Sequence, residues 1–387
     1  MEKKDKTRLL VGLMLFFMVN GMLVLMTSSL LVFLIEAYQL SYQQGGLLLT
    51  IQAVGSILTN FLSGPLSLRI GRRKTLLLAA AGFTASLLLI AVRPPLFALQ
   101  SVLFLSGLSW GISNNMINFL VVRVTGGNSS QIIRVHTSFS VGAFIAPLLV
   151  ALAVRLQVSW RWPVVFLAIC ASALFVFTAY LPVPESQKQK EKKKPASLAF
   201  LRSWHLYLYM LILFLYVGVE TGFSGWLVSY LTRQRSFDPA VAQSLLSTLW
   251  VAMIVGRIGT SFFSQHVRPH RYLLLEATGV AIAAFLLASG SQPALLVIAV
   301  VLLGLSMSAC YGMVVTNASW LIAESAIASG LLMSLGGLGA SIVPLFTGII
   351  AEKSGILSGV WFLFGTTCLL LLLALINILF PHKTSCV

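Results

Sequence analysis

Apolar residues run along this chain in long blocks, and the polar residues between them are bunched into short joins. A helix needs about 20 mostly apolar residues to cross the hydrocarbon core of a bilayer. Twelve blocks meet that requirement: 9–34, 44–68, 75–92, 97–122, 134–155, 161–181, 204–232, 241–266, 272–290, 294–323, 328–352 and 358–380. Segments of about ten residues with alternating polarity, the mark of a transmembrane barrel, do not occur. The pattern therefore predicts an all-α membrane protein of twelve transmembrane helices. Composition agrees, because only 9% of the 387 residues are charged, against about 25% in a soluble domain. Such a chain cannot cover a water-facing surface. That excludes a soluble enzyme, a disordered chain and a disulfide scaffold.

The longest polar join is 182–203, with PVPESQKQKEKKKPAS at its core. It divides the helices six and six, giving an N-terminal bundle over 1–181, a cytoplasmic linker over 182–203 and a C-terminal bundle over 204–387. A solvated linker that also anchors topology is favoured over a regulatory or lipid-binding segment.

The net charge of +16 would suggest a nucleic-acid partner in a soluble protein. Here orientation accounts for it. With the N-terminus inside, 19 of the 26 Lys and Arg residues fall on the cytoplasmic side and 6 on the outer side, with Arg257 inside a helix. That asymmetry puts both termini in the cytoplasm of a multi-pass protein of the cytoplasmic (inner) membrane. The partners expected are lipid and a small-molecule substrate, with no nucleic acid. The first span is too long, and too polar at Asn20 and Gly21, for a cleaved signal.

The halves repeat. VGAFIAPLL runs from Val141 to Leu149 and LGASIVPLF from Leu338 to Phe346, an offset of 197 that matches Gly142 with Gly339 and Pro147 with Pro344. TLLLAAAG at 75–82 and YLLLEATG at 272–279 share that offset. Same-direction repeats of six helices are the plan of a secondary transporter, with a central site. The Gly-rich stretch at Gly336, Gly337 and Gly339 is no phosphate loop, because no Lys-Ser/Thr follows it. Close helix packing with a flexing point near Pro344 is expected there, and likewise for Gly142 with Pro147.

The join between the second and third spans reads GPLSLRIGRRK, Gly64 to Lys74. Its glycines, Gly64 and Gly71, suit a tight turn and close helix contact, and Arg69, Arg72, Arg73 and Lys74 sit at the inner face. The segment resembles the loop signature of the major facilitator superfamily, and the two six-helix halves agree. That family usually has an Asp where Leu68 stands, so the inward-closed lock that Asp supports is weaker here or built differently. YVGVETGFSGWLVSYL (Tyr216–Leu231), GRIGTSFFSQHVRPHRYLLL (Gly256–Leu275) and GGLGASIVPLFTG (Gly336–Gly348) resemble the fucose/galactose/glucose–proton symporter family within it. LSYQQGGLL and GISNNMINFLVVR fit its second and fourth helices in outline. The resemblance implies sugar transport, with H+ as a coupling ion, by a monomer without cofactors.

The departures bear on coupling. The resemblance implies an acid in the first helix and another in the fourth. Ser28 and Asn114 stand at those places, and neither titrates. Facilitation, a different ion and a relocated proton site are the alternatives. Glu220 is the candidate for relocation. Eight of the ten acids lie in tails, loops or helix ends, Glu276 sits about one turn into the ninth helix near the cytoplasm, and Glu220 alone falls deep within a span. A carboxyl at that depth costs about 2.5–3.5 kcal/mol on insertion scales and should face a partner or a wet cavity. Arg257, in the eighth span, suits a structural ion pair or helix-end contact, with substrate binding as the alternative.

The fourth span has the densest polar face. Trp110, Asn114 and Asn118 recur at i, i+4 and i+8 and so stack along one side. Amides donate to and accept from hydroxyls, and an indole offers a flat apolar platform for a sugar ring. Tyr216, Glu220, Tyr311 and Asn317 are the candidates facing them from the second half. Asn20, Gln52, Trp226 and Trp250 are weaker ones, and Trp226 could belong to an aromatic belt at the membrane surface.

No HExxH, CxxC, nucleophile elbow or Walker sequence occurs. The five His residues lie near expected cytoplasmic ends, and the four cysteines form neither a metal site nor a disulfide framework. The chain reads as a transporter of a small neutral solute, a sugar first, by alternating access. Export of an amphipathic drug or metabolite is the second reading, and a non-transporting sensor on the same scaffold the third.

Overall fold

A computed structural model describes residues 3–125, 129–184, 199–263, 267–318, 320–321 and 326–380. The core of the central join, 185–198, lies outside them, as do Glu324, His266, His382 and Cys386. Among the described residues the secondary structure is helical: α1 (Lys3–Ala37), α2 (Tyr42–Ile70), α3 (Arg72–Ala91), α4 (Leu96–Thr125), α5 (Ser129–Arg155), α6 (Arg161–Ala179), a short 3-10 turn (Ala199–Arg202), α7 (Trp204–Arg233), α8 (Pro239–Phe263), α9 (Pro269–Ser289), α10 (Pro293–Ser306), α11 (Cys310–Asn317), α12 (Ala326–Ser354) and α13 (Ile356–Leu379). Eleven candidate membrane spans are present, or twelve when bent α2 is counted as one. The bend in α2 is 55°, between Tyr42–Asn60 and Leu62–Ile70. Pro65 explains its place: the ring displaces the carbonyl four residues earlier and offers no N–H in return.

The tenth span, read over 294–323, is present as one candidate span over Pro293–Asn317, but its helix is interrupted at Met307, Ser308 and Ala309, between α10 and α11. Hydropathy does not register such a break, since all three residues are small or apolar.

The chain forms two compact units. The first holds Met1–Leu40, Leu47–Lys190 and Asp238–Ser247, and its most extensive pairings are α1 with α5, α3 with α6 and α3 with α4. The second holds Ser41–Gly46, Glu191–Phe237 and Thr248–Val387, where α7 pairs with α12 and α9 with α13 and α10. Each unit thus includes a short piece of sequence from the other half. In the second unit Tyr42 donates its N–H to Glu352 Oε2 at 2.7 Å and sets its ring edge-on to Trp226 at 5.9 Å. In the first unit Gln243 Nε2 donates to Ser29 O at 2.6 Å and Ser247 Oγ to Phe144 O at 3.1 Å.

The internal repeat is visible as repeated contacts. A Cβ at Gly142 would run into Met18 O of α1, and one at Gly21 into Phe139 O of α5. In the second unit a Cβ at Gly339 would run into Phe214 O, and one at Gly218 would stand 3.1 Å from Gly339 O. Gly21 and Gly218 are again 197 positions apart. The same holds for Gly107 against Gln52 O and Gly304 against Leu249 O, and for Gly82 against Ser109 Oγ and Gly279 against Ser306 Oγ. Small residues let helix backbones touch where lipid supplies no hydrophobic drive to bring them together. α5 and α12 run through Pro147 and Pro344 without interruption, and both prolines are buried.

The join between α2 and α3 takes the expected tight turn at Gly71, with φ of 91°. Gly64 does not fit the close-contact expectation, since a Cβ there would meet nothing within 4 Å. Leu68, in the place of the family Asp, is 71% exposed, and Arg69 is exposed beside it. Arg72 is buried; it donates Nη1 to Pro184 O at 3.0 Å and lies 5.0 Å above the Phe119 ring. It ties the chain leaving α6 to the start of α3.

Gly142→Leu and Gly339→Leu should each force two helices apart, at a cost of about 1–3 kcal/mol or more. Thermal unfolding of the detergent-solubilised variants should show a lowered midpoint for both. Gly365→Leu, where a Cβ meets nothing within 4 Å, should leave it unchanged. Equal stability of all three would refute the backbone-contact account.

Candidate functional site

The first unit sorts its polar side chains into two groups. Asn20, Gln52 and Asn115 are spent on packing. Asn20 is fully buried and accepts from Ser113 Oγ at 3.0 Å, and Gln52 Nε2 donates to Ser106 Oγ at 3.0 Å. Asn115 Nδ2 donates to Asn60 O at 2.9 Å and Ser63 Oγ at 2.7 Å. Trp110, Asn114 and Asn118 are half-buried along one face of α4, and Asn115 is half-buried beside them. Asn118 Nδ2 donates to Asn114 O at 2.8 Å, which turns Asn118 Oδ1 towards α5. There His136 Nε2 lies 2.9 Å from it and must be the donor, because the amide oxygen only accepts. The ring of Phe17 stands edge-on to His136 at 5.3 Å. His136, set aside in sequence as a helix-end residue, therefore belongs to this stripe. Helical spacing within α4 cannot reveal a partner on α5.

The second unit is organised around the broken tenth span. A break frees backbone groups, and in a membrane interior each must find a partner inside the protein. Three side chains from three helices supply them. Tyr216 of α7 donates its hydroxyl to Met307 O at 2.8 Å, and Arg257 of α8 donates Nε to Ser308 O at 3.0 Å. Glu276 of α9 accepts the Ala309 N–H on Oε1 at 2.8 Å, with Ser308 Oγ at 3.4 Å. Arg257 and Glu276 thus hold the two poles of one peptide group, Ser308–Ala309. The guanidinium sits at its oxygen and the carboxyl at its N–H, so each charge lies at the end of the amide dipole that attracts it.

This geometry revises several expectations. Tyr216 is 1% exposed, and its hydroxyl hydrogen is taken by Met307 O. Glu276, expected about one turn into its helix, is 4% exposed and is a buried acid. Arg257 makes a helix-end contact. Trp226 is not in a surface belt; it is 1% exposed and donates Nε1 to Pro344 O at 3.0 Å. Trp250 is likewise buried, at 2%. Glu220 is half-buried on α7, next to Tyr216 and within electrostatic reach of Arg257. Tyr311 is 39% exposed, its hydroxyl against Met333 Sδ. Asn317 is half-buried and donates Nδ2 to Met313 O in its own helix at 2.7 Å.

The sequence profile described as Major Facilitator Superfamily matches residues 9–344, most of the chain. This chain belongs to the major facilitator superfamily. Among curated relatives it is similar to the Protein TsgA homolog of Serratia proteamaculans (strain 568), at 23% identity over 348 residues, covering 88% of this chain and 87% of that one. It is as similar to the Protein TsgA homolog of Yersinia pestis (strain Pestoides F), at 23% over 365 residues, covering 92% and 91%. Among solved structures, a variant of the nucleoside transporter NupG has a TM-score of 0.80 at 14% identity, covering 96% of this chain and 99% of that one. The xylose transporter XylE from E. coli, partially occluded and inward open, has a TM-score of 0.78 at 16% identity, covering 98% and 100%. At those identities the likeness is one of fold. As a major facilitator protein the chain is a multi-pass membrane transporter and not an enzyme. Its own residues must then say which surfaces meet solute.

Tyr216→Phe leaves Met307 O without its partner, at a cost of about 1–3 kcal/mol. A lowered midpoint in thermal unfolding should report it. Asn114→Ala, on the half-buried stripe, should change stability by less than about 0.5 kcal/mol. The reverse ranking would mean that the two residues have exchanged roles.

Proposed function

We propose that this protein carries a small neutral solute, a sugar or a similar polyol, across the cytoplasmic membrane by alternating access, with both termini inside. One chain suffices, since both six-helix repeats lie within it, and a monomer is the working unit. One observation carries the reading. α4 keeps Trp110, Asn114 and Asn118 half-buried and uncharged along one face, whereas Asn20 and Gln52 are fully buried between helices. An indole platform with amides above it suits a ring with hydroxyls on its rim, and it needs no ionic partner. Two solved proteins of the same fold are named for a nucleoside and for xylose, and the second-half motifs resemble a sugar symporter family.

Glu220, Tyr311 and Asn317 are the second unit's contribution to solute contact. Glu220 is the proton-coupling carboxyl in this reading, because Ser28 and Asn114 hold the first-half places where the symporter resemblance implies acids. Gly71, Arg72 and Arg257 shape the frame around these residues, and Pro147 and Pro344 lie in the helices most tightly paired with α1 and α7.

Counterflow in proteoliposomes tests the solute. Vesicles loaded with unlabelled fucose, galactose, glucose or N-acetylglucosamine should take up the labelled form of one of them, with no ion gradient needed. Asn114→Ala or Asn118→Ala should reduce that uptake at least about tenfold, the scale of 1.4 kcal/mol in binding. Silence across the panel from folded protein would overturn the sugar reading. Once a substrate is found, a pH gradient should drive its accumulation in the wild type. Glu220→Gln should keep exchange and lose accumulation. A wild type indifferent to pH would remove Glu220 from coupling.

A further inference from the structure

The hydrogen bonds along the stripe of α4 all run in one direction. Asn114 O is a backbone carbonyl and only accepts, so the Asn118 group lying 2.8 Å from it is the NH2. That sets the Asn118 amide and puts its Oδ1 against His136 Nε2 at 2.9 Å. The flipped amide would bring two acceptors together at Asn114 O. Asn118 Nδ2 also lies 3.4 Å from Asn114 Oδ1. The second amide is therefore set in turn, with its oxygen towards Asn118 and its NH2 turned away. His136 donates to Asn118, Asn118 donates to Asn114, and the chain ends in the NH2 of Asn114.

His136 heads this chain, and its ring is held for that purpose. It is exposed on α5. Phe17 of α1, 2% exposed, stands edge-on to it at 5.3 Å and to Phe139 at 5.7 Å. An imidazole with its hydrogen on Nε2 donates to the amide oxygen, and so does an imidazolium. The direction of the chain is thus the same in both charge states of His136.

Trp110, one turn before Asn114, carries an indole N–H, which only donates. Among the described residues neither Trp110 Nε1 nor Asn114 Nδ2 donates to a protein acceptor. The oxygens of the stripe are engaged within it, Asn118 Oδ1 by His136 and Asn114 O and Oδ1 by Asn118. The stripe therefore turns donors towards whatever meets it.

The second half carries the same contact with the opposite sense. At 197 positions after Asn114 and His136 stand Tyr311 and Met333. These two are joined as well, Tyr311 donating its hydroxyl to Met333 Sδ. In both halves the fourth span is tied to the fifth at the same two positions. A thioether has no hydrogen to give, so Tyr311 loses its hydrogen to Met333 and keeps an oxygen that accepts. In each half the residue on the fifth span sets the polarity of its neighbour on the fourth.

We infer that His136 is a positioning residue of the solute site: it sets the direction of the Asn118–Asn114 chain, so that the first unit meets the solute with the donors Asn114 Nδ2 and Trp110 Nε1 and takes a solute hydroxyl oxygen as acceptor. This rests on the reading of α4 as the solute-facing stripe and adds the chemistry of the contact. A ligand whose hydroxyl is replaced by fluorine keeps an acceptor there. One whose hydroxyl is deleted does not.

The chain itself is tested without solute, by 15N NMR of the full protein labelled at histidine, in lipid nanodiscs at mildly alkaline pH. The His136 signals are those missing from His136→Gln. Nε2 should carry hydrogen, and Asn118→Ala should shift its resonance. A bare Nε2, or a resonance indifferent to Asn118→Ala, overturns the inference. In counterflow with the sugar that is transported, His136→Gln keeps a donor and should hold KM near the wild-type value. His136→Glu has the same length, but its carboxylate accepts and turns Asn118 round. It should raise KM at least about tenfold, with a smaller change in maximal rate. Equal KM for the two variants overturns the inference. At one ring position the deoxyfluoro analogue should compete better than the deoxy analogue, and Asn114→Ala should remove that difference. A wild type that separates the two analogues at no position also overturns it. Counterflow silence with Nε2 protonated would overturn the sugar reading alone.

Discussion

Every backbone polar group within a bilayer must find its partner inside the protein, and the second half of this chain depends on how one peptide meets that demand. Ser308–Ala309 lies where the tenth span is interrupted. Its oxygen is held by Arg257 and its N–H by Glu276, and Tyr216 covers the carbonyl just before it. Hydrogen bonds to charged groups are worth about 1.5–3 kcal/mol, and a buried group without a partner costs a similar amount. The three side chains and the break therefore stabilise one another. Removing any one leaves a backbone polar group without its partner. Buried charge in a transporter bundle is otherwise a liability, and here it has a structural use that keeps it in place.

The two halves divide the work. They share a packing scheme down to individual glycines, with Gly107 and Gly304, and Gly82 and Gly279, each pair set against the same partner position. They do not share chemistry. The first half presents a neutral stripe on a continuous α4 and buries Asn20 and Gln52 between helices. The second half has an interrupted span and a cluster with two carboxyls and one guanidinium. The common scaffold fixes helix spacing, and the differences lie at positions the repeat leaves free.

How far each residue could be read in advance depended on where its partner lies. Trp110, Asn114 and Asn118 were legible because their relation is internal to one helix and follows from 3.6 residues per turn. Glu220 was legible because a carboxyl deep in an apolar run is conspicuous. The partners of Tyr216 and Trp226 were not legible, because an aromatic with a polar tip looks the same in sequence whether the tip meets solute, the membrane surface or, as here, a carbonyl. Glu276 was underrated because its partner, the Ala309 N–H, lies on a different helix. His136 was set aside because its link to Asn118 crosses from α5 to α4.

The sequence by itself determined the membrane class, the span lengths, the internal repeat and the family. All of these follow from local apolar content and from matches along the chain. Only the tertiary structure decided that the tenth span is broken, which three side chains hold the break, and which polar residues are consumed by packing and which are left open. Those outcomes depend on side chains far apart in sequence meeting within hydrogen-bond distance. Hydropathy and periodicity carry no record of such meetings, because each is a property of one segment at a time.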